Sequence, residues 1–232
     1  MHPSELHVLY EDKQLLAINK PQGIVVEFEP HLKYTLESVA LNYLKEKDLY
    51  PWKCFIGVPH RLDRPVSGVV LFSKKRSVLK MLVEIFSKRE IEKTYWAITD
   101  KRPSKNEDEL VNWLVKDTEH RRAVIHDKEV TESMRVVLRY KVLTENATGC
   151  LLQIKLITGK FHQIRAQLSH MGCPIIGDAH YGSTKPYKEN AICLHARQLK
   201  LVHPVINEPL TIEANPPDDE MWNAFATPVS ER

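Results

Sequence analysis

The sequence predicts an α+β fold in which a largely antiparallel mixed central sheet is flanked by a few helices. Segments with the pattern of short strands outnumber segments with helical spacing. Most of the predicted strands are joined by short turns rather than by helical crossovers, which favours antiparallel pairing. No internal repeat or linker interrupts the 232 residues. We therefore expect a single domain over residues 1–232, long enough to bury a hydrophobic core.

In the N-terminal half, Leu6–Leu9 and Leu15–Ile18 have the composition of two strands around a polar turn. Residues 19–23 follow as a loop, because a proline and a glycine break either periodicity. Thr35 is expected to cap a helix, and residues 68–73 form a compact apolar strand. The apolar faces predicted for two helices consist of Leu36, Val39, Ala40, Tyr43 and Leu44, and of Leu79, Leu82, Val83 and Phe86.

The C-terminal half has further strand patterns and two short helices. A polar turn at residues 145–149 is expected to join two of the strands as a hairpin. The predicted helices are Gln163–His170, which Gly172 ends, and Asp218–Phe225. The predicted strands are Thr94–Thr99, Met134–Val142, Leu151–Ile157, Leu194–Leu201 and Leu210–Ala214.

Composition points to a cytoplasmic protein. No apolar run approaches the roughly 20 residues of a membrane helix, and the first five residues lack the pattern of a secretory signal. The four cysteines show no C-x-x-C spacing, so neither a zinc site nor a redox pair is predicted. Their even number allows disulfides, but in a reducing compartment buried thiols are the expectation. The cysteines are Cys54, Cys150, Cys173 and Cys193.

The formal net charge is only +3, but the positive charge is concentrated in the middle of the chain. Residues 60–102 hold eleven Lys or Arg against five Asp or Glu, and residues 155–200 hold seven against two. Such a distribution is what a local surface for a polyanion would produce. Solvated lysines on helix faces would produce the same counts, so charge alone leaves both interpretations open.

The segment His60–Gly68 has the most unusual arrangement of charges, since Asp63 lies between Arg61 and Arg64. The two guanidinium groups are expected to keep Asp63 ionised and to lower its pKa, which a carboxylate nucleophile requires. A surface cluster of ion pairs at the entry to a strand is the alternative interpretation of so short a string.

The segment Thr158–Arg165 predicts a tight turn at Gly159 followed by a helix. The first turn of that helix would present backbone N–H groups and a positive dipole to an anion. Arg165 lies about one turn after His162 and would share its face. The pattern of a nucleotide-binding phosphate loop is absent, and an ordinary helix with a solvated arginine is the alternative.

The segment Lys93–Trp96 predicts a strand with basic and aromatic side chains. Tyr95 and Trp96 are neighbours, so they point to opposite faces and at most one can contact a ligand. An aromatic ring beside a lysine suits stacking on a base near a phosphate. Both rings could equally belong to the core or its rim.

Together these three segments resemble the RluA family of pseudouridine synthases, enzymes that isomerise selected uridines in RNA. The resemblance runs in order over nearly the whole chain, which makes it far more specific than any one segment. Its other motifs are Asn-Lys-Pro-Gln-Gly at 19–23, Gly-Cys-Pro-Ile-Ile-Gly-Asp at 172–178, Tyr-Gly at 181–182, Leu-His-Ala at 194–196 and His-Pro at 203–204.

The resemblance implies a pseudouridine synthase catalytic fold and a role for each of four residues. Asp63 would be the essential nucleophile, and Arg61 would enter the RNA stack where the target nucleotide has flipped out. Tyr95 would pack on the target base, and Arg165 would pair with Asp63. The isomerisation involves no redox step or group transfer, so no cofactor and no metal are expected. Further RNA contacts are expected from His60, Arg64, Lys160, His162 and Gln163.

The resemblance also implies that the partner is RNA, either tRNA or an rRNA hairpin, with no membrane and no obligatory protein partner. The catalytic pattern begins within the first twenty residues, so no separate N-terminal RNA-binding domain is expected. The chain departs from the common family pattern at Val66, at Lys160–Phe161 and at Ala166–Gln167. None of these is among the four residues with implied roles, although Lys160 lacks the bidentate geometry of arginine.

Two other functions are weighed against this one. Residues 177–182 with His60 and Asp63 could be metal ligands of a phosphoesterase, but paired-carboxylate or H-E-x-x-H spacing is absent. A non-catalytic RNA-binding module on the same fold is the other alternative. It would have no need of an acid beside phosphates, which a carboxylate repels.

Overall fold

The computed structural model describes residues 5–29, 31–32 and 34–225. Residues 1–4 lie outside the described residues, and they make up most of the N-terminal stretch that lacks a secretory pattern. The chain divides into two compact units, one of residues 1–93 with 196–215 and one of residues 94–195 with 216–232. The expectation of a single domain stays a prediction.

The described residues form ten strands and four α-helices, and the α+β class is confirmed. The strands are β1 (Val8–Glu11), β2 (Leu15–Lys20), β3 (Ser67–Ser73), β4 (Glu92–Thr99), β5 (Glu107–Asp117), β6 (Arg122–His126), β7 (Met134–Glu145), β8 (Cys150–Leu156), β9 (Leu194–Val202) and β10 (Pro209–Glu213). The helices are α1 (Leu36–Lys47), α2 (Arg76–Ser87), α3 (Gln163–His170) and α4 (Glu220–Asn223).

In the first unit the strand order is β1-β2-β3-β9-β10, and the pairs β1–β2, β2–β3 and β9–β10 are antiparallel. Leu15 and Ala17 of β2 and Val69 and Leu71 of β3 alternate along their strands and enter one apolar core. Both faces of β3 are buried, which explains why its sequence is a continuous apolar run rather than an alternating one.

The two long helices of the first unit form where the sequence predicts them. Thr35 and Ser38 make a reciprocal capping box, in which each side chain bonds the backbone N–H of the other. In α2, Val78 and Leu82 are buried, whereas Val83 is 48% exposed. The placement of Val83 on the apolar face was wrong, because it is one residue, or about 100°, around the helix from Leu82.

In the second unit the strand order is β4-β8-β7-β5-β6, and its core contains Leu114, Val136 and Ala166. The predicted hairpin of β7 and β8 is confirmed, with the N–H of Asn146 donating to the carbonyl of Gly149 at 3.0 Å. Sequence reasoning missed β5 and β6. The acidic residues of β5 hide its apolar pattern, and its long pairing with β7 is non-local.

Helix α3 has the predicted bounds, and the chain leaves it through Gly172 at a φ of +82°. Helix α4 covers only part of the predicted Asp218–Phe225, since Asp219 caps it by accepting the N–H of Trp222 at 3.1 Å.

None of the helices in the described ranges is both long and apolar enough to cross a membrane. The four cysteines are free thiols, and Cys150, Cys173 and Cys193 are buried as expected.

Candidate active site

Asp63 lies, half buried, in the loop that leads into β3. This loop is tied to the turn after β2 by hydrogen bonds in both directions. The N–H of Gly23 donates to the carbonyl of Arg64 at 2.9 Å, and Nε of Arg64 donates to the carbonyl of Gly23 at 3.0 Å. The N–H of Val66 donates to the carbonyl of Asp63 at 3.0 Å, which closes the turn. The backbone that carries the carboxylate is therefore fixed before any ligand binds.

Lys20 lies beneath this loop and has no exposed surface. Its Nζ donates to the carbonyls of Pro21 and Arg64 at 2.9 and 3.1 Å. Burial lowers the pKa of Lys20 to about 7, while the charge of Asp63 acts in the opposite direction. A lysine at the end of an apolar strand was the signal that sequence reasoning passed over. It supports the loop from inside.

His60 has a structural place in the same unit. Its Nε2 accepts the N–H of Leu71 at 2.9 Å, and its ring stacks on Phe86 at a centroid distance of 4.5 Å. Burial, with a smaller effect of Lys93, lowers the pKa of His60 to about 3. The ring is therefore neutral at physiological pH and holds the loop against β3, while its expected RNA contact stays a prediction.

Arg61 and Arg64, in contrast, have exposed side chains beside Asp63 in sequence. Arg61 makes an ion pair with Glu27 at 3.0 Å, and both side chains remain largely open to water. Such a pair contributes little net stability. An RNA phosphate or base can therefore compete for Arg61 at small cost.

In the second unit, Tyr95 lies on β4 opposite Ile154 and is 9% exposed. Its neighbour Trp96 points to the other face of the strand and is half buried. The structure thus places the two rings on opposite faces, as the sequence pattern required.

Arg165 is held on α3 by a buried bidentate ion pair with Asp178. Nε and Nη2 of Arg165 donate to the two carboxylate oxygens at 2.7 and 2.8 Å, and the side chains are 7% and 2% exposed. This geometry fixes the plane of the guanidinium group. The sequence analysis placed Asp178 in a family motif and among the possible metal ligands of the alternative phosphoesterase, but not as the partner of Arg165. The pairing expected between Arg165 and Asp63 stays a prediction.

His162 begins α3 in the left-handed conformation, at a φ of +51°. Arginine can only donate, so the 2.9 Å contact from Nη1 of Arg165 makes Nε2 of His162 an acceptor. Nδ1 then carries the proton and donates to the hydroxyl of Tyr181 at 3.0 Å. The same hydroxyl accepts the N–H of Ala123 at 2.7 Å. The ring of His162 also stacks on Phe161 at 3.8 Å.

Gln163 is 2% exposed and bonds within the protein. Its Oε1 accepts from the hydroxyl of Thr158 and the N–H of Lys160, and its Nε2 donates to Val137 and Gln167. These four hydrogen bonds fix the turn, and the RNA contact expected of Gln163 stays a prediction. The side chain of Lys160 is exposed, as an RNA contact requires.

The predicted site residues therefore lie in two groups. Asp63 shares the first unit with His60, Arg61 and Arg64. The residues of the second unit are Tyr95, Lys160, His162, Gln163 and Arg165. Within the described ranges, three or more His, Cys, Asp or Glu side chains nowhere converge as metal ligands would.

A family model described as RNA pseudouridylate synthase matches residues 14–170. The chain belongs to this family. It is 30% identical to tRNA pseudouridine synthase C of Vibrio parahaemolyticus, over 98% of this chain and 96% of that protein. It is 32% identical to ribosomal large subunit pseudouridine synthase C of Vibrio vulnificus, over 89% of this chain and 64% of that protein.

Solved structures agree with this assignment to the pseudouridylate synthases. Human RNA pseudouridylate synthase domain containing 4 superimposes with a TM-score of 0.75 at 26% identity, covering 91% of this chain and 89% of the other. Human RNA pseudouridylate synthase domain containing 1 superimposes with a TM-score of 0.77 at 20% identity, covering 97% of this chain and 89% of the other. At this identity the likeness shows the fold alone. The predicted family, fold and enzyme class are confirmed, and the activity is that of an RNA pseudouridine synthase, an isomerase.

Proposed function

We propose that this protein isomerises a uridine of tRNA with Asp63 as the nucleophile. The observation that carries the proposal is the pre-organised loop around Asp63. Three backbone carbonyls, two backbone N–H groups and the side chains of Lys20 and Arg64 hold it in place. A nucleophile fixed before the substrate arrives needs little reorganisation during the reaction.

The reaction breaks the N1–C1′ bond of uridine and forms a C5–C1′ bond. The proton on C5 is lost and N1 gains a proton, so atoms and electrons balance without a co-reactant. Asp63 can take part by attacking C1′ of the ribose or C6 of the base, and both routes need an ionised carboxylate. The uracil must turn over between the two bonds, which requires that it first leave the base stack.

Three further residues have proposed roles in this cycle. Arg61 fills the vacancy left by the flipped nucleotide, consistent with its exposed and exchangeable ion pair. Tyr95 packs on the uracil. Arg165 pairs with Asp63, and its bidentate bonds to Asp178 support this because they orient the guanidinium group in advance.

The choice of tRNA as substrate rests on the names of two relatives that align with 98% and 95% of this chain. The chain spans 96% and 94% of two Vibrio proteins named tRNA pseudouridine synthase C. It spans only 64% of the relative from Vibrio vulnificus that is named for the large ribosomal subunit. A ribosomal RNA hairpin is the second candidate, since that relative is as similar in sequence. The expected cytoplasmic location fits either substrate.

The test of the mechanism is Asp63→Asn, assayed on tRNA labelled with tritium at C5 of uridine. Because the amide keeps the shape but removes the nucleophile, tritium release should stop while RNA affinity is nearly unchanged. Asp127→Asn is the matched control, since this acid is 80% exposed and pairs only with a surface histidine among its described contacts. Appreciable turnover by a verified Asp63→Asn protein would overturn the proposed mechanism.

The test of the substrate compares rates on an isolated tRNA stem-loop, whole tRNA and intact ribosomal subunits at one ionic strength. Fixed salt is needed because phosphate contacts make RNA affinity strongly salt-dependent. We expect the two tRNA substrates to be modified. Activity confined to ribosomal subunits would reject tRNA and leave the mechanism at Asp63 untouched.

A further inference from the structure

The segment Leu49–Phe55, after α1, exposes large apolar side chains in the first unit. Leu49 is 89% exposed, Tyr50 is 52% exposed and Trp52 is 75% exposed. The rings of Tyr50 and Trp52 meet edge to face at 5.5 Å, and Asp48 holds the segment by accepting the N–H of Tyr50 at 2.8 Å. These three side chains lie within four consecutive positions, and they do not pack into the core of their own unit. Exposed clusters of this kind mark binding surfaces.

Basic side chains surround this segment. Nζ of Lys53 lies 4.7 Å from the ring centre of Tyr50, and the guanidinium group of Arg76 lies 4.7 Å from that of Phe55. Two more basic side chains, Lys45 and Lys74, lie close enough to Cys54 to lower the pKa of its thiol, whereas burial and Asp48 raise that pKa. Positive groups beside exposed rings are suited to bases attached to phosphates.

The backbone explains why these two parts of the sequence meet. Gly57 and Ser73 exchange two hydrogen bonds, at 2.8 and 2.9 Å, which brings the end of β3 beside the segment. The exposed Lys75 and Arg76 follow directly. Four basic side chains lie near the segment, namely Lys45, Lys53, Lys74 and Arg76, against the acid Asp48 and against Glu11, which pairs with Lys74.

We propose that Tyr50 and Trp52 form a stacking platform for unpaired bases of the RNA substrate, with Lys53, Lys75 and Arg76 binding the adjoining phosphates. The occupant is RNA rather than a protein because the charge around the rings is net positive and RNA is a polyanion. The inference rests on the proposed function and adds a second contact to it, apart from the loop of Asp63. A base stacked there anchors the substrate.

The first test measures affinity for unfractionated tRNA and for poly(U) at fixed salt. Trp52→Ala should weaken binding about fivefold to 150-fold, the usual range for the loss of one base–aromatic stack. Trp52→Phe should keep most of the affinity and Trp52→Leu should not, because leucine is apolar but cannot stack. Ile206→Ala is the matched control, since Ile206 is 55% exposed in the same unit and is remote in sequence. Its affinity should equal that of the wild type.

The second test follows charge and fluorescence. Lys53→Gln should lower the slope of log affinity against log salt by about one, as the loss of one phosphate contact does. Because Trp52 is 75% exposed, stacking should quench its emission when RNA is added, and Trp52→Phe should remove that quenching.

Three results would overturn the proposal. The first is an unchanged affinity of Trp52→Ala for both RNA probes. The second is equal behaviour of the phenylalanine and leucine variants. The third is self-association of the wild type that Trp52→Ala abolishes without loss of RNA affinity, which would make the segment a protein contact. Failure of the proposed function is seen in a different assay. If the wild type releases no tritium, the proposed function is wrong, whether or not Trp52 contributes to RNA affinity.

Discussion

Replacing Asp178 by asparagine tests how the structure holds the guanidinium group of Arg165. The wild-type carboxylate accepts two N–H groups at 2.7 and 2.8 Å, and both side chains are almost completely buried. In Asp178→Asn the shape is kept, but one oxygen becomes an NH₂ group. The amide oxygen still accepts one N–H group of Arg165, but it carries no full charge. The amide NH₂ group faces the second N–H group of Arg165, so two donors meet without an acceptor.

The magnitude follows from the burial of the pair. Removing one partner of a buried ion pair leaves the other charge uncompensated and costs about 3–5 kcal/mol of unfolding free energy. For a chain of 232 residues each kcal/mol lowers Tm by roughly 2–4 °C. The expected decrease in Tm is therefore on the order of 6–20 °C. Asp127→Asn, at an exposed acid, should change Tm by less than about 2 °C.

The assay is thermal and urea unfolding followed by circular dichroism. A separate mutant cycle compares the wild type with Arg165→Met, with Asp178→Leu and with the double variant that carries both changes. Removing both charges also removes the uncompensated one. The double variant should therefore be more stable than the sum of the two single changes predicts.

Two outcomes would refute this reasoning. One is a decrease of less than about 2 °C for Asp178→Asn, since a desolvated charge would then have no measurable cost. The other is strict additivity in the cycle, which would mean that the two side chains do not stabilise each other.

The remaining predictions concern three other positions. Tyr95→Phe should keep most of the tritium-release rate while Tyr95→Ala loses about the 1–3 kcal/mol of a base–aromatic stack, and equal losses would give the hydroxyl the role instead. Unfolded His60 binds a proton below its ordinary pKa of 6.5, whereas folded His60 does so only near 3. The free energy of unfolding should therefore decrease as the pH is lowered from 6.5 towards 3, by up to about 1.4 kcal/mol per pH unit. Urea titrations of His60→Gln should lack this pH dependence. Gly68→Ala should be strongly destabilised in urea, because a Cβ would lie 2.3 Å from the carbonyl oxygen of Ala196 at a φ of +116°.

The sequence was sufficient for elements whose signals are local. Thr35 and the apolar face after it predicted α1, and the turn at residues 145–149 predicted a hairpin, because capping and turn chemistry act within a few residues. It was insufficient for β5 and β6, because acidic side chains hide the apolar pattern of β5, and β6 is a short strand at the end of the described sheet that pairs with β5.

The candidate site shows the same division. Asp63, Arg61 and Arg165 were predicted as site residues from short motifs. Their supports were not, since Lys20 lies 43 positions before Asp63 and Asp178 lies 13 positions after Arg165. Neither distance matches a helical or strand period, so only the folded chain shows which charges meet.

The difference in burial among the four cysteines makes Cys54 a selective position for chemical labelling. Burial raises the pKa of the Cys150 thiol to about 11 and the pKa of the thiols of Cys173 and Cys193 as well. These three thiols are also buried, so they should resist maleimides in the native state. Cys54 is the least buried of the four. One dye per folded chain should attach there, between Trp52 and Phe55, and the unfolded chain should take up four.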